Sequence, residues 1–297
     1  MPTETVYGLA ADATNAEAVA KIFAAKGRPS QNPLIVHVAD ADHLADFAEV
    51  PGGWVADCIA AFWPGPLSLV LPLRGGLASA VTAGLGTVAV RVPSHPTFRA
   101  VLRETRLPLA APSANRSGRP SGTTWRAVYE DLEGRIDAVV CDAPSLLGLE
   151  STVVDATGPC PIILRPGAVT LEDLRRLIPS TIGPSTDSER NVRSPGTQFK
   201  HYQPHARVIV IDRIDEIDPR LATSAYIGLA SLAPAEYPGV VAARICGDVA
   251  DYSRSLYEFF RTADAAGASV IYCQRVTLTG LGLALMDRLS RAAAKES

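Results

Sequence analysis

KGRPSQNPLIVHV, residues 26–38, passes from a helix end through a polar loop into a strand. Upstream, NAEAVAKIFAAK (15–26) has a helical apolar spacing with Asn15 placed as N-cap, and it stops at Lys26-Gly27. Arg28-Pro29 opens an extended loop, and Asn32-Pro33 leads into an apolar run that carries His37. Two cations and an amide set just before a buried strand can grip phosphate oxygens, arginine as a fork and lysine as a point charge. Read alone, the segment has a simpler account: Lys26 complements the helix C-terminus, Arg28 is solvated, and His37 is a core histidine.

Outward from this segment, short apolar runs alternate with helical patterns. Strands are expected at 34–38, 67–73, 87–93, 108–112, 137–142, 151–156 and 161–165, and helices near 15–25, 40–49, 53–62, 95–104, 124–132 and 170–178. That mixture implies an α/β sheet covered by helices. From Pro179 the texture changes: PSTIGPSTDSERNVRSPGTQFKHYQPHA has four prolines and little apolar period, the mark of an extended connection. A second rhythm follows in ARVIVID, SAYIGLA, VVAARIC and ASVIYC, with helices near 250–267 and 280–294, which suggests a small doubly wound domain. It lacks a G-x-G-x-x-G loop, so dinucleotide binding is not inferred from it.

Composition removes several function classes. With 297 residues, 47% of them apolar and 20% charged, the chain reads as globular and not disordered. A net charge of −3 gives no general attraction to nucleic acid. Five widely spaced cysteines, none in a C-x-x-C pair, argue against a zinc site or disulfide framework and fit a reducing cytoplasm. Without a long apolar run or an export leader, membrane and secretory readings fall away.

Polar residues recur where strands end. The opening MPTETVYGLAAD groups hydroxyls, a carboxylate and a phenol, a set that usually lines something. Arg91 interrupts the apolar strand VAVRVP, which is costly unless it is paired or faces a ligand. APSANRSGRPSGTT (111–124) is a Gly/Ser-rich loop between strand and helix, suited to anions but not a Walker loop. Ser151 and Arg165 sit at the ends of neighbouring strands, and SPGTQFKHYQP (194–204) concentrates aromatic and cationic residues on the connector.

Taken in order, PTETVYGL, KGRPSQNPLIVH, VAVRVP, PSANRSG, ESTVVD, LRPG and SPGTQFKHYQP resemble the threonylcarbamoyl-adenylate synthases, in the two-domain form of the YrdC-like fold. Seven motifs in register are specific where each alone is weak. The resemblance implies a YrdC-like twisted mixed sheet with helices over 1–182, a linker over 183–205 that covers the site as a lid, and a small Rossmann-like α/β domain over 206–297. It also implies a reaction: L-threonine, bicarbonate and ATP give threonylcarbamoyl-AMP and pyrophosphate, for tRNA threonylcarbamoyladenosine modification.

By position, Thr5, His37, Arg91, Ala111 and Ser151 are then expected around threonine, Ala111 through its backbone alone. Lys26, Arg28, Asn32, Thr87, Ser113, Ser121, Arg165 and Tyr202 are expected around ATP, with Lys26 and Arg28 catalytic. Magnesium is expected to arrive with ATP, with no metal site of the protein's own and no permanently bound cofactor. The implied partners are tRNA threonylcarbamoyl transferase proteins, with a weak tRNA contact. In the family a strand and a helix precede PTETVYGL; here the expectation is an exposed sheet edge and a loosened Thr5. An RNA-binding module without synthase activity is the alternative from another class, disfavoured by 6% aromatics and the acidic balance. Carbamoyl transfer in hydrogenase maturation would need zinc-finger cysteine pairs, which the sequence lacks.

Overall fold

The computed structural model describes residues 1–184 and 202–294. The first unit is built on β1 (Ala11–Asp12), β2 (Ile35–His37), β3 (Leu67–Pro72), β4 (Thr87–Arg91), β5 (Leu109–Ala110), β6 (Thr152–Asp155) and β7 (Ile162–Arg165). These form one mixed sheet in the order β1-β5-β2-β4-β3-β6-β7. Its helices are α1 (Ala16–Lys26), α2 (Trp54–Phe62), α3 (Ser79–Thr82), α4 (Pro96–Thr105), α5 (Trp125–Leu132) and α6 (Leu171–Leu177). Helix α1 starts where Asn15 accepts from the Glu17 and Ala18 amides and ends where Gly27 turns left-handed at φ 62°. Its Val19 and Ile22 join Leu34, Val36, Leu69 and Val90 in the main core.

Two features of the sheet bring distant motifs together. Strands β2 and β4 are parallel, and their register sets His37 beside Arg91 at the C-terminal ends of both. Strands β6 and β7 are antiparallel, so the chain entering β6 at Ser151 lies against Arg165 at the end of β7.

The second unit has β8 (Arg207–Ile211), β9 (Ser224–Gly228), β10 (Val240–Ile245) and β11 (Val270–Gln274) in a parallel sheet of order β10-β9-β11-β8. Helices α7 (Val249–Ala265) and α8 (Leu281–Ala293) pack Leu256, Phe260, Leu285 and Leu289 on it.

Three expectations change. DAVVCD (137–142) is not a strand: it pairs with no strand among the described residues. A groove of about 730 Å³, lined by both Gly8–Ala11 and Ile136–Val140, separates it from β1, and an apolar alternation without a ladder partner stays extended loop. The helix expected at 40–49 is a 3₁₀ turn, Ala41–Asp46, because Asp40 offers no side-chain cap. Thr5 is not loosened. The opening folds back on the sheet, with Met1 and Gly8 exchanging two hydrogen bonds and Tyr7 and Leu9 donating to Gly122 and Pro112. Of the expected linker, residues 185–201 lie outside the described residues.

The two units touch through Gly148, whose amide donates to Thr5. A Cβ at this position would lie 2.3 Å from Arg254 Cα on α7, and φ is +76°. Gly148→Ala should therefore destabilise the fold by about 2–4 kcal/mol, read from denaturant unfolding. An unchanged midpoint would mean that α7 does not rest on this residue.

Candidate active site

The edge of the larger sheet where β2, β4 and β7 end and β6 begins opens into a cleft lined by Thr5, Arg28, His37, Arg91, Ala111, Ser113, Glu150, Ser151, Arg165 and Tyr202, among others. Its first wall is the opening motif. Thr3 Oγ1 accepts from the Thr5 and Val6 amides and donates to the Val6 carbonyl at 2.6 Å, a turn that fixes the backbone. Thr5 Oγ1 then accepts from Arg91 at 2.9 Å. Arg91 spends its other arms on the Gly65 carbonyl and on Glu4, 2.7 Å away. Burial alone would raise the Glu4 carboxyl; the Arg91 charge and hydrogen bond and the Ser94 amide outweigh it and hold it down to about 2.

His37 stacks obliquely on Phe98, 5.3 Å between rings, and its buried Nδ1 has no hydrogen-bond partner among the described residues. Burial first, and the Arg91 charge second, push its imidazole down to about 3, so it is neutral at physiological pH. Across the cleft, Arg165 donates to the Ser151 carbonyl through Nε and Nη2 and to Ser151 Oγ at 3.1 Å. The Ser151 hydroxyl also meets Ser68 at 2.8 Å.

The K-x-R motif divides. Arg28 lines the cleft, braced by the Asn32 and Pro33 carbonyls, and burial lowers its guanidinium to about 10. Lys26 lies beneath, its ammonium 2.5 Å from the carbonyls of both Ser113 and Asn115, so it ties down the loop that carries Ser113. Desolvation, aided by the Arg28 charge, lowers its pKa well below the usual lysine range. Arg91 and Arg165, both buried, and half-buried Arg28 thus face one carboxylate, Glu150, among the described lining residues.

Not every expected residue reaches this surface. Ser121 is buried behind it and gives its hydroxyl to Glu150 at 2.6 Å. Asn32 is fully buried beneath Arg28. Thr87 begins β4 while Arg91 ends it, so the two stand roughly 13 Å apart along the strand. Ala111 lines the cleft, but its N–H is taken by Ile35, which leaves its carbonyl. Lys200 and His201 lie outside the described residues; Tyr202, also from the connector, is buried in the cleft. Sequence reasoning passed over Glu4, Ser68 and Glu150. The signal for both carboxylates was a charged residue inside an otherwise apolar or hydroxyl-bearing motif, PTETV and LESTVV.

Among known proteins, a family model described as telomere recombination matches residues 1–167. One described as threonylcarbamoyl-AMP synthase, C-terminal domain, matches residues 169–294. The threonylcarbamoyl-AMP synthase of Bacillus subtilis is 41% identical over 305 residues, 98% of this chain and 88% of that protein. That of Schizosaccharomyces pombe is 33% identical, over 98% of this chain and 84% of its own length. The crystal structure of Pyrococcus abyssi Sua5 complexed with L-threonine superposes with a TM-score of 0.90 at 37% identity, covering 98% of this chain and 89% of the other.

The buried groups give acid sensitivity a direction. From the ordinary histidine value of 6.5 down to about 3, the unfolded chain takes a proton on His37 that the folded chain refuses. Stability from this residue is complete above 6.5 and is lost as pH falls through that window. Glu4 acts in the same direction, between 4.5 and about 2. In NMR the His37 imidazole should remain neutral at pH 5, and His37→Gln should flatten the fall of stability between pH 6 and 4. An imidazole that titrates near 6.5 would contradict the burial.

Proposed function

The chain belongs to the threonylcarbamoyl-AMP synthase family, and we propose that the cleft described above joins L-threonine, bicarbonate and ATP into threonylcarbamoyl-AMP. The observation that carries this reading is the convergence of three arginines on one cleft, Arg91 and Arg165 buried and Arg28 half-buried. Guanidinium forks that converge on one cleft favour phosphate and carboxylate oxygens, and burial already weakens the charged form of Arg28 and Arg165.

The reaction needs little covalent participation from the protein. The threonine amine adds to the carbon of bicarbonate, water leaves, and a carbamate forms. A carbamate oxygen then attacks the α-phosphorus, the bond to the bridging oxygen breaks, and pyrophosphate departs with the electron pair. Such a step depends on alignment and on cations where charge accumulates. Arg28 and Arg165 are suited to the phosphates, with Ser113 and Tyr202 beside them and with Lys26, Asn32 and Ser121 supporting from beneath. Thr87 stands apart from this assignment.

Threonine fits the other half. Arg91, steadied by Thr5, offers guanidinium N–H groups for its carboxylate, the Ala111 carbonyl an acceptor for its amine, and Ser151 a partner for its hydroxyl. Neutral His37 lines the cleft and can orient the substrate without adding charge. Glu4 and Glu150 are each committed to an arginine, so the cleft does not fit a magnesium ion held by protein alone. Magnesium is read as entering on the ATP phosphates, as part of the substrate. The product is a mixed anhydride, and its consumer is a transferase acting on tRNA. A reducing, cytoplasmic setting agrees with five cysteines that are all free. No helix among the described residues is long and apolar enough to cross a membrane.

A pocket that hydrogen-bonds the substrate hydroxyl should reject valine by about 10⁴-fold. Pyrophosphate release with ATP and bicarbonate should accordingly follow threonine and not valine, and equal release with both would overturn the reading. Arg28→Ala should lower turnover about 10²-fold. Full turnover in that variant would remove Arg28 from the phosphate site.

A further inference from the structure

We infer that Arg288, on α8 of the second unit, is a positioning residue that aligns Ser151, Arg165 and Tyr202 in the cleft without touching substrate. Its side chain is 0% exposed, and it does not line the cleft. One arm, Nε, lies 2.8 Å from Glu150 Oε2; another, Nη2, donates to the Pro166 carbonyl at 3.0 Å. Glu150 immediately precedes Ser151, and Pro166 immediately follows Arg165. Arg165 is itself bonded to the Ser151 carbonyl. One guanidinium thus grips both outer flanks of this pair.

Its plane also sits 5.5 Å from the ring of Tyr202, a residue held at φ 71°. Tyr202 in turn stacks on Tyr257 at 5.4 Å, and the Tyr257 hydroxyl donates to Glu150 at 3.1 Å. A neighbouring residue of α7, Arg261, holds the serine-rich loop in the same manner, with two arms on Asp131, one of which, Nη2, also donates to the Pro120 carbonyl. The second unit therefore buttresses the cleft at three points.

Stability alone is a weak reason for such an arrangement. Burying a guanidinium against a carboxylate costs about as much desolvation as the pair returns, and apolar residues of similar size often hold a fold equally well. What an apolar residue cannot do is fix two carbonyl- or carboxylate-bearing loops at set distances. The Arg288 charge also draws the Glu150 carboxyl down: burial would raise it, but Arg288, Arg165 and Ser121 hold it near 2.

The inference rests on the proposed reaction, and its test is arranged so that the two can fail separately. Arg288→Lys keeps a cation for Glu150 but gives up the second arm and the planar face. It should retain a melting temperature near that of the parent chain, while kcat falls about 10-fold or more, as loss of alignment does, and KM for threonine and ATP changes less. In a Glu150→Gln background the same substitution should cost less, because part of its effect passes through that carboxylate. Calorimetric binding of L-threonine without nucleotide gives a reading that needs no turnover: the Arg288→Lys chain should bind several-fold more weakly. A variant with parental kcat, KM and threonine affinity, whatever its melting temperature, would make Arg288 purely a fold-stabilising residue. A parent chain that binds threonine but forms no product would count against the reaction and leave the binding comparison standing.

Discussion

Glu150 accepts hydrogen bonds from Ser121, Tyr257 and Arg288, side chains contributed by a loop of one unit and two helices of the other. A buried carboxylate is tolerable only with its partners in place, since losing one leaves an uncompensated buried charge. That requirement fixes the distance between the serine-rich loop, the start of β6 and the second sheet. The cleft therefore takes its shape from both units, although the described residues that line it, Tyr202 apart, all come from the first.

The same physics organises the cleft's charge. Arg91 is satisfied by Glu4, Thr5 and Gly65, and Arg165 leans on Ser151. Each cation is therefore aimed before any ligand arrives, and burial makes each one short of solvent. Preorganised, poorly hydrated cations serve an in-line displacement at phosphorus, because little has to rearrange when charge moves onto the leaving group. Neutral His37 fits the same design, since a protonated imidazole beside Arg91 would add charge the cleft cannot solvate.

Much of this was legible in the residues, for identifiable reasons. Arg91 announces itself because an arginine inside VAVRVP has to be paired or facing a ligand, and here it is both buried and paired. Strands such as 67–72 and helices such as 125–132 follow from periodicity because their burial is one-sided or complete. The run at 137–142 misleads because alternation records what a segment could pair with, not whether a partner stands beside it. Lys26 shows a different limit: sequence shows a cation next to a phosphate-type loop, but not the two carbonyls that its ammonium holds. Arg288 was invisible, since DRLSR on a helix looks like a solvated face until the fold buries it.

The central claim is that the cleft links a carbamate of threonine to AMP. Mass spectrometry of the products formed from ATP, L-threonine and ¹³C-bicarbonate tests it most directly. The expected product is threonylcarbamoyl-AMP, with its mass raised by the labelled carbon and pyrophosphate formed in equal amount. An adenylate of threonine that carries no bicarbonate carbon, or ATP consumed without any threonine adduct, would contradict it.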